Sequence, residues 1–175
     1  MSSGASHDST VRRLDEAEGF LMLDLPERAL AILESRSEWA TMPFEAHFLT
    51  GEALRRLGRC REALMHLERA AGLKPGNVSV AIALGWCYKR THRLAQAIDA
   101  LEKALSIAPE EPLLHYNLSC YWSLLGDADR AIAELRAAID LEPEFRGRIA
   151  SEPDFNSIRS RPEFERIVNS EPPGY

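Results

Sequence analysis

Three prolines stand at one interval in this chain: Pro75, Pro109 and Pro143, each 34 residues after the one before. A fixed interval of that length marks a repeat architecture, in which each copy hides its apolar face against the next. Aligned on the prolines, the copies run 44–77, 78–111 and 112–143, and they agree at further positions. Position 8 is small (Gly51, Gly85, Ser119) and position 20 is alanine (Ala63, Ala97, Ala131). Position 24 is leucine (Leu67, Leu101, Leu135) and position 27 is alanine again (Ala70, Ala104, Ala138). Small residues at 8 and 20 let two helices of one copy approach closely; anything larger would force them apart or strain the packing. Leucine at 24 lies on the apolar face that fills the remaining space. Proline closes the second helix, because it lacks the amide N–H and disfavours helix in the residue before it.

The pattern predicts helices near 44–57 and 60–73, 78–91 and 94–107, 112–125 and 128–141. Asn77 and Asp127 are expected as N-caps, and Gly58 and Gly126 in the tight turns. Upstream, Val11, Leu14, Ala17, Phe20 and Leu21 form one apolar stripe. In the same frame Ala17, Ala29 and Leu33 fall at positions 8, 20 and 24, whereas Arg36 and Thr41 depart from 27 and 32. Residues 10–43 therefore read as a degenerate first copy, its second helix opened by Asp24 as cap, then Pro26 and Glu27. Residues 1–9 are small and polar, and disorder is expected there. After Pro143 the period breaks into short amphipathic pieces around Phe145/Ile149, Phe155/Ile158 and Phe164/Ile167/Val168. Such pieces persist only when packed on something, so 144–169 is expected to cap the open end of the last copy, with 170–175 a loose tail.

This spacing resembles the tetratricopeptide repeat of bacterial proteins, with small residues at 8, 20 and 27 and proline at 32. The resemblance implies an all-α fold: a right-handed superhelical solenoid of antiparallel helix pairs with a concave inner face and a C-terminal helical cap. Two departures stand out. The family's aromatic at position 4 is His47, Ala81 and His115, and its turn glycine at 15 is Gly58, His92 and Gly126.

Charge and motifs narrow the function. The net charge is -6, but its distribution is uneven. Residues 1–43 hold four Arg against eight acids, 44–111 ten basic against eight acidic, and 112–175 seven Arg against eleven acids. Nucleic-acid binding, which wants a basic surplus, is not expected. The N-terminus shows no apolar signal region, and the longest uncharged apolar run, Val78–Tyr88, falls far short of the ~20 residues that span a bilayer. A cytoplasmic protein without membrane contact is expected. Cys60, Cys87 and Cys120 are widely spaced and odd in number, which fits reduced thiols rather than a disulfide frame or a metal site. No phosphate loop, zinc-protease or nucleophile-elbow motif occurs, so neither catalysis nor a cofactor is expected. Glu110 and Glu111 read as solvated acids of an inter-repeat turn, and His47 and His115 as structural residues.

What remains is a surface. In the family, positions 2, 5, 9, 12 and 13 of each first helix line the concave groove; three- and four-residue steps do place them on one face. Carried over residue by residue, the resemblance implies a peptide groove of Phe48, Glu52, Arg55, Arg56, Ile82, Trp86, Lys89, Arg90, Tyr116, Cys120 and Ser123, with Asn117 at its margin. Aromatic anchors beside a basic strip suit a partner segment with acidic residues. The alternative is that Trp86 and Tyr116 pack between helices as core. The family's clamp for a chaperone C-terminal carboxylate wants Lys and Asn at positions 5 and 9, then Asn at 9, then Lys and Arg at 2 and 6. Phe48 and Glu52, Trp86, and Leu113 and Asn117 do not match it, so no such clamp is expected. The reading is a non-catalytic module that binds a protein or peptide partner. Its rivals are a cytosolic chaperone for exported proteins, a thiol-based sensor or enzyme acting through Cys120, and self-association.

Overall fold

A computed structural model of the chain describes residues 3–34 and 43–169. All regular structure among the described residues is helical. It forms two compact units that divide between His92 and Arg93. The first holds α1 (Ser3–Met22), α2 (Pro26–Glu34), α3 (Pro43–Arg56), α4 (Cys60–Leu73) and α5 (Val78–Arg90). The second holds α6 (Leu94–Leu105), α7 (Pro112–Leu124) and α8 (Ala128–Leu141). Beyond α8 lie a 3-10 turn at Pro143–Phe145, α9 (Arg146–Ile149), a second 3-10 turn at Pro153–Phe155 and α10 (Pro162–Asn169).

The repeat frame governs the local structure in all four copies. Every first helix ends at position 13 (Met22, Arg56, Arg90, Leu124), and every second helix starts at position 17 (Pro26, Cys60, Leu94, Ala128). Position 15 always takes positive φ: Asp24 at 55°, Gly58 at 73°, His92 at 61° and Gly126 at 82°. That left-handed residue lets the amide just beyond it reach back and close the last turn of the helix. Leu25 N–H donates to the Phe20 carbonyl at 2.8 Å, Arg59 to Leu54 at 2.9 Å and Asp127 to Trp122 at 3.0 Å. Asp24 is thus the turn residue of the first copy, not the N-cap expected for α2. The first helix also starts earlier than expected: α1 takes in residues 3–9, assigned from sequence to a disordered tail. Asp8 pairs with Arg12 at 3.6 Å one turn on, and Thr10 is buried, so the helical turn before the apolar stripe has its own support. Arg36, Thr41 and the 170–175 tail lie outside the described residues.

The predicted caps form where expected. Asn77 accepts from Val80 N–H at 3.0 Å, and Asp127 from Arg130 N–H at 3.1 Å. Glu111, read as a solvated turn acid, instead caps α7, with Leu113 N–H 3.4 Å away.

The core is made of the repeated small residues and leucines. Ala17 and Ser119 are fully buried at position 8, as are Ala29, Ala63, Ala97 and Ala131 at position 20. Leu33, Leu67, Leu101 and Leu135 at position 24 are 3% exposed or less. The approach is closest at Gly51, where an added Cβ would stand 2.6 Å from Leu67 Cγ and Cδ2.

Position 4, which lacks its aromatic, is used for polar links to position 23 of the same copy. His47 Nδ1 lies 3.1 Å from His66 Nδ1, so one ring donates and the other accepts. His115 Nδ1 lies 2.6 Å from the Glu134 carboxylate, and its Nε2 lies 2.9 Å from the Pro109 carbonyl. Both His47 and His115 therefore hold helix pairs together through hydrogen bonds, and the His47 ring also packs against that of His66, centroids 5.2 Å apart.

The C-terminal pieces pack on α7 and α8. Phe145, Ile149, Phe155, Ile158, Phe164 and Ile167 are all buried. Phe145 stacks on Tyr116 at 4.8 Å, Phe155 meets the same ring edge-on at 6.0 Å, and Phe164 lies 5.5 Å from Phe155. Burying each such side chain contributes about 1.5–3 kcal/mol, which helices this short need, since isolated ones below ~12 residues are marginal.

Two outcomes follow from this geometry. His92→Gly removes the only non-glycine strain at position 15 of the three regular copies and should raise stability by about 0.5–1 kcal/mol in urea titration. An unchanged or lowered midpoint would deny that the left-handed turn costs anything. The second concerns His47 and His66, whose pKa values burial pushes below the ordinary value; Arg69 presses both down and Glu34 opposes this at His66. A depressed histidine pKa means that the unfolded chain takes up protons first as pH falls through ~6.5. The folded state should therefore lose stability as pH falls from about 7.5 to about 5.5, and the His66→Gln variant should lose less over that range.

Candidate functional site

The expected groove residues divide between the two units, and they meet different surroundings. In the first unit, arginines of α3 tie three successive copies together. The Arg56 guanidinium donates to the Leu21 carbonyl at the end of α1 and lies 3.6 Å from the Asp24 carboxylate in the α1–α2 turn. On its own helix it lies 3.9 Å from Glu52. Glu52 accepts two further bonds from Arg55, at 2.8 and 2.9 Å. This forked pairing holds Arg55 firmly cationic, raising its already high pKa. From there Arg55 reaches across to α5, where its guanidinium lies 5.3 Å from the Trp86 ring centroid. Arg90, one helical turn beyond Trp86, lies 5.6 Å from the same centroid.

Trp86 is half-buried, as are Phe48, Ile82 and Lys89, while Arg90 is exposed. The indole is therefore neither sunk in the core nor free in water, and it sits between two cations, an arrangement worth about 0.5–1 kcal/mol per contact at partly exposed sites. Phe48 stacks on Phe44 at 6.0 Å, and Lys74 lies 3.9 Å from the Phe44 centroid and 3.0 Å from Glu45. Phe48, Glu52, Arg55, Arg56, Trp86 and Arg90 are thus each engaged with one another or with a neighbour. Sequence reading missed the neutralisation. Glu52, a mismatch to the carboxylate clamp, is balanced by two arginines, and Arg55 and Arg56 act first as braces.

In the second unit the expectation fails for three residues. Tyr116 is 6% exposed, Cys120 3% and Ser123 0%. The C-terminal segment covers the face that these residues were expected to offer. Tyr116 lies under Phe145 and Phe155, and burial raises its phenol pKa. The Ser123 hydroxyl donates to the Asp154 carbonyl at 2.7 Å, and the Ser157 hydroxyl donates to the Ser123 carbonyl at 2.9 Å. Asn117 is half-buried and donates to Leu113, one turn back on its own helix, at 2.7 Å. The signal was present: Phe145 and Phe155 had to cover something, and an aromatic at position 5 of the last copy was the matching surface.

The cysteines do not form an exposed thiol site. All three are buried. The Cys87 thiol is pushed up to about 12, by burial first and by its neighbour Cys60 next, so the nucleophilic thiolate is suppressed at neutral pH. Among the described residues no helix is long and apolar enough to cross a membrane.

Comparison with known proteins agrees with the repeat frame. Two family models described as tetratricopeptide repeat match residues 54–119 and 114–145, together more than half of the chain. Among curated proteins, anaphase-promoting complex subunit 3 of Schizosaccharomyces pombe is 26% identical over 101 residues, 58% of this chain and 15% of that protein. Sperm-associated antigen 1 of Mus musculus is 36% identical over 64 residues, 37% of this chain and 7% of that protein. The chain thus spans only a small part of either relative. Among solved structures, MamA (41-end) from Desulfovibrio magneticus RS-1 superposes with a TM-score of 0.69 at 21% identity, covering 93% of this chain and 98% of that one. A thermophilic tetratricopeptide protein of Thermus thermophilus superposes with a TM-score of 0.67 at 24% identity, covering 80% of this chain and 79% of that one. At these identities the structural likeness speaks for the fold alone. With the family models, the buried repeat positions and the common turn in hand, the chain belongs to the tetratricopeptide-repeat family.

Proposed function

We propose that the chain is a non-catalytic protein-binding module, and that the α3–α5 face of its first unit grips an extended segment of a partner protein. The tetratricopeptide fold supports an interaction role. The observation that carries the site is Trp86, half-buried between the guanidinium groups of Arg55 and Arg90. A rigid indole with an apolar face and flanking cations supplies contact area at low entropic cost, as binding hot spots do. Phe48 and Ile82 extend the apolar strip. Because Glu52 holds Arg55, the charge offered to a partner is that of the exposed Arg90, and the segment it suits carries an acidic residue beside an apolar anchor. The groove of the first unit is the site; Tyr116, Cys120 and Ser123 belong to the packed interior of the second. Three buried cysteines that form no disulfide favour a reducing compartment, the cytoplasm.

The test is a binding comparison of the full chain with its Trp86→Ala/Arg90→Glu double variant. Circular dichroism and the urea midpoint check that both fold. Captured partners should fall by at least about tenfold in the variant, the loss expected when a hot-spot aromatic is truncated. An unchanged set of captured partners with intact folding places the binding surface elsewhere.

A further inference from the structure

We propose that the Nδ1 atoms of His47 on α3 and His66 on α4 form a two-point clamp for a late first-row divalent metal ion of the zinc and nickel class. The clamp uses no residue of the proposed partner face and does not depend on it.

Geometry gives the site. Position 4 of the first helix and position 23 of the second bring the two rings together, each half-buried and so still reached by solvent. Their Nδ1 atoms stand 3.1 Å apart. Two bonds of the ~2.0–2.1 Å that zinc makes to histidine would subtend about 100° across that gap. That angle lies between the ~90° of square-planar and the ~109° of tetrahedral coordination, the geometries taken by ions that favour imidazole. The rings are tilted 49° to one another, and aiming both lone pairs at one ion takes a rotation about χ2, a torsion that is broad in histidine. Among the described residues no three or more His, Cys, Asp or Glu gather as in a closed structural centre. The site is therefore an open one, with two protein ligands and water completing the shell.

The two nitrogens are engaged with each other, and the exchange for a metal balances. One neutral ring donates its Nδ1–H to the Nδ1 of the other. The donor ring moves that proton to its own Nε2, where the acceptor ring already carries its proton, and both Nδ1 lone pairs then face the ion. One hydrogen bond is given up for two metal–nitrogen bonds, and no proton is lost. Both rings are neutral at pH 7.5, since burial first, and Arg69 and the neighbouring ring after it, keep their pKa values below the ordinary one. Arg69 opposes a cation here and Glu34, at the end of α2, favours one beside His66; both side chains are exposed, so solvent weakens each effect. The other regular copies lack the pair. The second has Ala81 and Ala100 at these positions. The third has His115 and Glu134, and there both ring nitrogens face oxygen acceptors, Glu134 at 2.6 Å and the Pro109 carbonyl at 2.9 Å.

The experiment titrates the full chain at pH 7.5 with Zn²⁺, Ni²⁺, Mg²⁺ and Ca²⁺ by calorimetry, and follows the histidine ring nitrogens by ¹⁵N NMR as Zn²⁺ is added. Saturable binding of one Zn²⁺ or one Ni²⁺ is expected, and none of Mg²⁺ or Ca²⁺, which want oxygen donors. The Nδ1 resonances of His47 and His66 should shift together, and those of His7, His92 and His115 should stay. His47→Gln and His66→Gln, checked for folding by circular dichroism, should each weaken binding at least about tenfold, because one tethered ligand is lost. His115→Gln should leave it unchanged, and Arg69→Gln should tighten it about threefold by removing a like charge. Absence of saturable Zn²⁺ and Ni²⁺ binding, shifts confined to the other histidines, or wild-type affinity in a folded His66→Gln variant would each overturn the proposal.

Discussion

The distance between two helices of one copy is the constraint that everything else here depends on. At Gly51 there is no room for a single carbon beside Leu67. The same place holds fully buried alanine at Ala17 and serine at Ser119, and the facing helix shows alanine at position 20 every time. Backbones this close bury the leucine of position 24 between them, and close packing is what makes each added methylene costly. Once the helices are fixed at that distance, their turn must be short. A short turn here needs a left-handed residue at position 15, and the chain uses glycine twice, aspartate once and histidine once.

The same frame decides where side chains become available. First-helix positions 5, 9 and 12 lie where the next element arrives. In the first unit the arriving element is another first helix, α5, and between α3 and α5 stands a half-buried indole braced by arginine. In the second unit the element that reaches α7 is the non-repeating C-terminal segment, whose phenylalanines close over Tyr116. One positional rule thus yields an open aromatic in one unit and a buried one in the other. The difference lies in the neighbour, not in the residue.

Much of the fold was legible because repetition multiplies a weak signal. One alanine says little about packing, but Ala63, Ala97 and Ala131 at the same place in three copies say that a backbone passes there. Helix limits followed to within two residues in the regular copies. Asp24 was misread because Asp shortly before Pro is also the pattern of a helix N-cap. Only its register, fourteen residues after Thr10, marked it as the turn. Less of the site was legible. Periodicity names the face of a helix and not what covers it, so Tyr116, Cys120 and Ser123 looked like Phe48, Glu52 and Arg55. The two arginines of α3 could not be seen as braces from sequence, since their partners, the Leu21 carbonyl and the Trp86 ring, lie 35 and 31 positions away.

The most direct measurement is a paired urea titration of Gly51→Val and Gly72→Ala. Both glycines stand in helices of one copy, but an added Cβ at Gly72 meets nothing within 4 Å. Close contact predicts a loss of about 1–3 kcal/mol for Gly51→Val and a gain of about 0.5–1 kcal/mol for Gly72→Ala from helix propensity alone. Equal stabilisation by both substitutions would mean that the helix pair is not held at contact distance, and the account of the fold would fail with it.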